Sequence, residues 1–442
     1  MTREPAPVSP PVVLTIAGSD SGGGAGIQAD LKTIEAGGAF GTSAITSVTA
    51  QNTTGVESTH LLPTGEIEAQ IDAVLADFDV AAVKTGMLAT REVIEIVTDY
   101  AADLPNLVVD PVMVAASGDR LLEPEAEDAY EDLIAEATLV TPNADEAAVL
   151  TGRDVADPDA AQAAGEEIVG LGADAALVKG GHVPGETVVD TLVTAEDVRT
   201  IHHDRVDTAA THGSGCTLSS AIATRLAHGD DLEPAVGSGI DLLARAVRYN
   251  LDVGTGPGAV HHLVNVRNEA DRTATVEAVE TVVDRFVDRD VSPLVPEGGL
   301  DVLGATPYAE RPDEIAAVEG AIAETVGGVR PNRGVRFGVA GRGGDRLLAV
   351  READPAVRFG AVCRFDDEIE AALSVLSGPV VSVASGSDDY RARVLAAAEA
   401  VDGQPVAVID ETGRSAPTVT VLATEPGTLA DRTLTLLDAL GV

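Results

Sequence analysis

Short runs of apolar, β-branched residues alternate with helix-period segments from residue 12 onward, and each run ends in glycine or a polar side chain. Runs at 12–16, 81–84, 107–110, 138–141 and 175–179 read as strands. Segments at 67–77, 92–101 and 126–135 carry apolar residues at three- and four-residue spacing and read as helices. Continuously apolar strands are buried on both faces, and strands separated by helices pair in parallel. The pattern predicts an α/β fold, a doubly wound and mostly parallel sheet with helices on both faces. In such a sheet ligands sit beyond the carboxyl ends of the strands. Those ends carry Gly18-Ser19-Asp20, Lys84-Thr85-Gly86-Met87, Asp110-Pro111-Val112-Met113, Pro142-Asn143 and Lys179-Gly180-Gly181-His182. Packing alone does not call for polar and glycine clusters at five strand ends.

The chain has 442 residues, too many for one ordinary domain. Residues 1–11, rich in proline, read as a loose arm. The first domain spans 12–264. Residues 265–292 read as a connecting helix or linker, with Val276, Val279, Val282, Val283, Phe286 and Val287 on one side of its 273–288 stretch. A smaller α/β domain follows at 293–442. It shows helix-period stretches at 313–325, 368–376 and 390–400, and strands near 336–340, 361–365, 406–409 and 418–422.

Net charge narrows the partners. There are 72 acidic residues against 29 basic ones, a balance of −43. Such a surface argues against nucleic acid and against anionic membranes. The acids are scattered among periodic apolar runs, so the charge does not signal disorder. It resembles the acidic, strongly hydrated surface of a halophile's protein. The two cysteines, Cys216 and Cys363, form neither a disulfide framework nor a zinc pattern. No 18-residue apolar run and no secretory h-region is present, so a cytoplasmic location is expected.

The stretch Thr211-His212-Gly213-Ser214-Gly215-Cys216-Thr217 precedes a helix-compatible run. A glycine-rich turn that opens a helix presents unpaired amides and the positive end of the dipole, a ready anion site. The bland alternative is a tight turn with a small buried cysteine. At such a helix start the Cys216 thiol is expected to ionise easily. The loop from Gly18 to Gly26 lacks both the dinucleotide spacing and a following GKS or GKT, so it reads as a cover over a small substrate. Asp30, one turn into the next helix, could hold a substrate hydroxyl, or be a solvated helix position. Gln51 has donor and acceptor groups suited to a heteroaromatic edge. Met87 is a soft apolar wall or core filler. Asp110, Asn143 and Glu146 offer hard oxygens for a water-held Mg²⁺. Lys179 is one of three lysines (with Lys32 and Lys84), which favours a point charge on ATP phosphates over mere surface charge.

These motifs, with Ala17-Gly18-Ser19-Asp20, Gly23-Gly24-Ala25-Gly26-Ile27-Gln28-Ala29-Asp30, Ala50-Gln51-Asn52-Thr53, Ser117-Gly118, Thr141-Pro142-Asn143 and Val260-His261-His262, run in order over 12–263. Together they resemble the hydroxymethylpyrimidine and phosphomethylpyrimidine kinases of thiamine biosynthesis. The resemblance implies a ribokinase-like fold and two successive phosphorylations of 4-amino-5-hydroxymethyl-2-methylpyrimidine by Mg·ATP. It implies that Gly18, Ala25, Asp30, Thr49, Gln51, Met87 and Val112 contact the pyrimidine, although the family often has valine where Thr49 stands. It implies that Gly213, Ser214, Gly215 and Cys216 form the anion hole, with Cys216 as the base; related sugar kinases often carry aspartate there. Lys179, Asn143, Thr211 and His212 would face ATP, and Asp110 and Glu146 the Mg²⁺. A homodimer is expected. Pyridoxine or pyridoxal is the alternative substrate.

The C-terminal motifs Pro296-Glu297-Gly298, Arg336-Phe337-Gly338-Val339-Ala340, 357–366 and Ser415-Ala416-Pro417 resemble an archaeal-type thiamine-phosphate synthase domain. That family has Gly-Arg-Ile where this chain has Gly320-Ala321-Ile322. It has a histidine in the run that here reads Gly338-Val339-Ala340-Gly341-Arg342, and no histidine follows His262. Expelling pyrophosphate needs cations, so a non-catalytic module that binds thiamine phosphate is expected, with a kinase–synthase fusion as the alternative. The acidic surface predicts a melting temperature that falls on dialysis from molar KCl to low ionic strength. An unchanged thermal melt would refute it.

Overall fold

Strand and helix alternate from Val12 to Arg248 in a computed structural model that describes residues 6–113, 122, 124–183, 185, 187–386, 389–412 and 416–441. Residues 1–5 of the expected arm, Ser117-Gly118 and Ser415 lie outside the described residues. The chain divides into two units, Met1–Val264 and Asn265–Val442.

The strands of unit 1 are β1 (Val12–Asp20), β2 (Phe40–Asn52), β3 (Gly55–Leu61), β4 (Val80–Thr85), β5 (Leu107–Val109), β6 (Leu139–Val140), β7 (Ala175–Val178), β8 (Thr187–Thr194) and β9 (Val198–Asp204). Its helices are α1 (Gly26–Ala36), α2 (Thr64–Leu75), α3 (Arg91–Tyr100), α4 (Tyr130–Ile134), α5 (Ala144–Thr151), α6 (Pro158–Gly170), α7 (Ser214–Ala227) and α8 (Leu232–Arg248). The sheet order is β3-β2-β1-β4-β5-β6-β7-β8-β9. From β2 to β7 all pairings are parallel, and β3, β8 and β9 join antiparallel at the edges. This is the ribokinase-like architecture. Successive side chains of a strand point to opposite faces. Leu14, Val83, Leu107 and Val109 accordingly pack with α2, α3 and α4, while Val13, Ala82 and Val108 pack with α1, α7 and α8. Both faces are dry, which is why the strand sequences show no polar alternation.

Unit 2 contains α9 (Val264–Ala270), α10 (Arg272–Asp288), β10 (Asp301–Ala305), β11 (Ile315–Val318), β12 (Ile322–Thr325), β13 (Gly328–Pro331), β14 (Val335–Phe337), α11 (Gly341–Ala353), β15 (Phe359–Arg364), α12 (Asp367–Ala372), β16 (Val380–Ser382), α13 (Tyr390–Glu399), β17 (Ala407–Asp410), β18 (Thr418–Ala423) and α14 (Pro426–Ala439). The sheet order is β14-β11-β10-β15-β18-β17-β16. It is an additional α/β domain, and two expectations for it are corrected. The helix read over 313–325 is a short 3₁₀ turn followed by β11 and β12. Ala316 and Val318 join one core layer and Ile315 and Ala317 the other, a two-residue period that alanine content disguised. Nor is 265–292 a linker. Val279, Val282, Val283 and Phe286 of α10 are buried in one core with Val302, Phe359, Ala361 and Leu437. No helix of the described residues is long and apolar enough to cross a membrane.

Phe286 is fully buried in that core. Phe286→Ala should cost about 3–5 kcal/mol of unit 2's stability, read by denaturant titration. A loss under about 1 kcal/mol would restore α10 to the status of a linker.

Candidate active site

At the carboxyl ends of β1, β2, β4, β5, β6 and β7 lies a cavity of about 800 Å³. Gly18, Ala25, Thr49, Gln51, Met87 and Val112 are on its wall, as are Asp110, Asn143, Glu146, Lys179, Thr211, His212, Gly213, Ser214, Gly215 and Cys216. The sequence reading thus converges on one place, with one exception. Asp30 is not on the wall.

Asp30 is fully buried beneath the cavity, and both carboxylate oxygens are taken. Lys84 Nζ donates to each at 2.9 Å, Thr15 Oγ1 donates at 2.6 Å and Ser220 Oγ at 2.8 Å. No acceptor capacity is left for a substrate hydroxyl, so the expected contact is corrected to a structural ion pair. Lys84 is equally buried and lines the cavity. Burial works against its charge, but Asp30, Cys216 and Asp110 outweigh that and hold its pKa above the ordinary lysine value.

The loop after β1 is organised by Asp20. Its carboxylate accepts the amides of Gly22 (2.7 Å), Gly24 (3.0 Å) and Ala25 (2.8 Å), an Asx-type turn. Burial alone would raise its pKa, yet the His212 hydrogen bond and the Ala25 and Gly22 amides bring it below the ordinary aspartate value. His212 Nε2 lies 3.3 Å from Asp20 Oδ2 and 3.4 Å from Gln51 Nε2. His212 therefore sits against the glycine loop and Gln51, on the wall of the same cavity. Thr49 Oγ1 donates to Gln51 Oε1 at 3.0 Å, which orients the amide.

α7 begins at Gly213, whose φ is +82°. A Cβ there would overlap the carbonyl oxygen of Gly24, so only glycine lets the two loops touch. No side chain caps the helix, and Ser214 donates its amide to Thr211 O. A Cβ on Gly215 would lie 3.4 Å from both Asp110 Oδ2 and Lys179 Nζ, so the helix mouth opens directly onto those charges. Lys179 Nζ stands 3.2 Å from Asp110 and 3.9 Å from Glu146. Glu146 and Asn143 form the capping box of α5, so the Asn143 carbonyl oxygen is committed to a backbone amide while the residue lines the cavity. Burial first, and then Asp110, push Glu146 up to about 7 against Lys179 and the Asn143 and Met113 amides. Two buried carboxylates thus share one ammonium. Among the described residues no group of three His, Cys, Asp or Glu could hold a metal ion.

Cys216 departs from expectation. Burial, with Asp30 and Asp110, pushes its thiol up to about 11, although Lys84 and a hydrogen bond from the Gly26 amide pull the other way. The helix start does not make a thiolate here, because burial, with two carboxylates nearby, outweighs it.

Asp20 and Lys84 lie within the sequence motifs but carry no role that spacing alone assigns. Asp20 was legible as an aspartate before a glycine run, and Lys84 as a rare lysine inside an apolar strand. Arg205 gave no sequence signal. Its guanidinium donates to the carbonyls of Gly181 (2.8 Å), Val183 (2.6 Å) and Gly185 (2.6 Å), tying down the loop after β7.

The family described as phosphomethylpyrimidine kinase matches residues 20–261, and the one described as thiamine-phosphate synthase ThiN matches residues 278–435. The hydroxymethylpyrimidine/phosphomethylpyrimidine kinase of Rhizobium meliloti is 47% identical over 256 residues, 57% of this chain and 96% of that protein. The thiamine biosynthesis bifunctional protein of Geobacter sulfurreducens is 42% identical over 265 residues, 59% of this chain and 54% of that protein. Among solved structures, an ADP complex of Bacillus subtilis pyridoxal kinase matches with a TM-score of 0.55 and 33% identity, over 58% of this chain and 99% of that one.

A thiol at about 11 is protonated at neutral pH, and alkylation proceeds through the thiolate. Iodoacetamide should therefore modify Cys216 slowly at pH 7, with a rate rising about tenfold per pH unit up to pH 10. Cys363 is fully buried and serves as the inert control. A rate that levels off below pH 8 would show that the helix start wins after all.

Proposed function

This chain belongs to the phosphomethylpyrimidine kinase family and is a phosphotransferase, and from that premise we propose its reaction. Unit 1 transfers the γ-phosphoryl of ATP to the hydroxymethyl group of 4-amino-5-hydroxymethyl-2-methylpyrimidine, and then a second phosphoryl to the product. The observation that carries this reading is the uncapped start of α7. It faces Lys179 and Asp110 in a cavity whose wall also holds Ala25, Gln51, Met87 and Val112.

Each part has a physical task. Gln51, oriented by Thr49, reads the polar edge of the ring, and Met87 and Val112 supply its apolar faces. The amides at the start of α7 and the Lys179 ammonium stabilise charge on the transferring phosphoryl. Mg²⁺ would be held by Asp110 and Glu146 and would neutralise phosphate charge. The donor set fits, because Asp110 and Glu146 bring hard oxygens together and a cation there would draw Glu146, poised near 7, into its ionised form, while too few ligands are present to hold the ion without ATP. Cys216 takes the proton of the attacking group as its thiolate, a minor form at neutral pH. A loose transition state asks for that proton late, so a scarce base suffices.

For unit 2 we infer binding of thiamine phosphate without its synthesis. Ala321, buried at a φ of +61°, stands where the related synthases carry an arginine, and no histidine follows His262. The ThiN match favours a second reading, a kinase–synthase fusion. The 33% identity to a pyridoxal kinase favours a vitamin B6 ring as the other substrate candidate.

The full chain with hydroxymethylpyrimidine, Mg·ATP and hydroxyethylthiazole phosphate should yield pyrimidine mono- and diphosphate and no thiamine phosphate by mass spectrometry. Thiamine phosphate above the enzyme-free background would make the chain a fusion enzyme, and a higher kcat/KM for pyridoxal would reassign unit 1. Wild-type kcat should rise with pH through the neutral range. Cys216→Ala should lower it about 10²–10⁴-fold and flatten the profile, with little change in KM for ATP. A near-normal kcat would remove Cys216 from the chemistry.

A further inference from the structure

Unit 2 gathers arginines in a chain that is mostly acidic. β16 and β17 form the parallel pair in that sheet, whose other pairings are antiparallel. Their carboxyl ends lie beside the first turns of α11 and α13. Arg346 of α11 is 2% exposed. It donates to Asp410 at the end of β17 (2.8 Å), to the Tyr390 hydroxyl (2.8 Å), to Thr418 (3.3 Å) and to Thr420. Asp410 also accepts the Thr412 hydroxyl (2.7 Å) and amide (2.9 Å) and the Tyr390 hydroxyl (2.9 Å).

Arg346 alone balances the charge of Asp410. Arg342 is a second cation on the same carboxylate, with Nε 3.1 Å from it. Thr412 Oγ1 accepts from its Nη2 at 3.1 Å, and its guanidinium lies 4.0 Å from the centroid of the Tyr390 ring. The group is thus held flat and fixed while its side chain stays 46% exposed. Arg393 of α13 lies 5.8 Å from the same ring and donates Nη1 to Ala384 O at 2.7 Å, and its buried Nε has no acceptor. Neither Arg342 nor Arg393 pairs with any other carboxylate among the described residues. The arrangement resembles a preorganised fork with spare donors more than a closed salt bridge.

We propose that Arg342 and Arg393, at the carboxyl ends of β16 and β17, form an anion site of unit 2 that takes the phosphate of a phosphate monoester. The choice of monoester rests on the reading that unit 2 binds thiamine phosphate. Arg346, Asp410 and Tyr390 position the two arginines and do not touch the ligand.

The test is equilibrium dialysis of the full chain, with unit 1 saturated by Mg²⁺ and a non-hydrolysable ATP analogue. The two probes are labelled orthophosphate and labelled thiamine phosphate, and the variants are Arg342→Ala and Arg393→Ala. The wild type should bind both probes, and each variant should weaken both at least tenfold while leaving kinase kcat unchanged. Arg393→Ala guards against misfolding, since that side chain makes one hydrogen bond, to a backbone carbonyl, and no ion pair among the described residues. Binding of orthophosphate unchanged in both variants would overturn the site, even if thiamine phosphate still bound elsewhere in unit 2. Arginine-dependent binding of orthophosphate with no binding of thiamine phosphate would support the site and refute the thiamine phosphate reading. No binding of either probe by the wild type would overturn both.

Discussion

The buried pair of Lys84 and Asp30 is the fixed point under the active site. Through Thr15, Lys84, Asp30 and Ser220 it ties together β1, β4, α1 and α7, and all four elements adjoin segments that line the cavity. Two charges can be kept out of water only when the geometry is good and the remaining lone pairs are satisfied. Here two hydroxyls complete the aspartate. Removing one partner would leave a bare charge in the core, at a cost of about 3–5 kcal/mol. The pair also sets the electrostatics above it, because Lys84 and Asp30 act on Cys216 in opposite directions. Lys84 pulls the thiol down more than Asp30 pushes it up, so the pair tempers a rise that burial sets.

Much of unit 1 was legible because its strands are dry on both faces and its loops carry residues with no packing purpose. Glycine at 213 and 215 announced a close approach, and the contact proved to be with Gly24, a residue far away in the chain. Sequence spacing signalled that something must come near but not what. The errors share a cause. Asp30 and Cys216 were each read from their position along the chain, whereas their behaviour is set by what arrives from elsewhere: Lys84 and Ser220 for the first, burial with two nearby carboxylates for the second. In unit 2 the short side chain of alanine hid the strand period of β11, and the apolar stripe of α10 did not say which core it would enter.

The two units differ in how much their chemistry shows. In unit 1 the charged groups converge on one cavity and remain open to it. In unit 2 the residues that resemblance called for are replaced, and positive charge collects instead around Tyr390 and Asp410. A fold can persist while its reaction changes, so the match to a synthase family and the arginine cluster are separate facts about unit 2.

The protonated state of Cys216 bears on the durability of the protein. Peroxide attacks a cysteine as its thiolate, and the first product, a sulfenic acid, can go on to forms that no thiol reverses. A sulfur held near a pKa of 11 spends little time in the vulnerable form. A cysteine with an easily lost proton would be the quicker base and the quicker casualty. By setting the sulfur on the cavity wall among groups that keep it protonated, the fold gives up some readiness in catalysis and gains a residue that reacts slowly with oxidants.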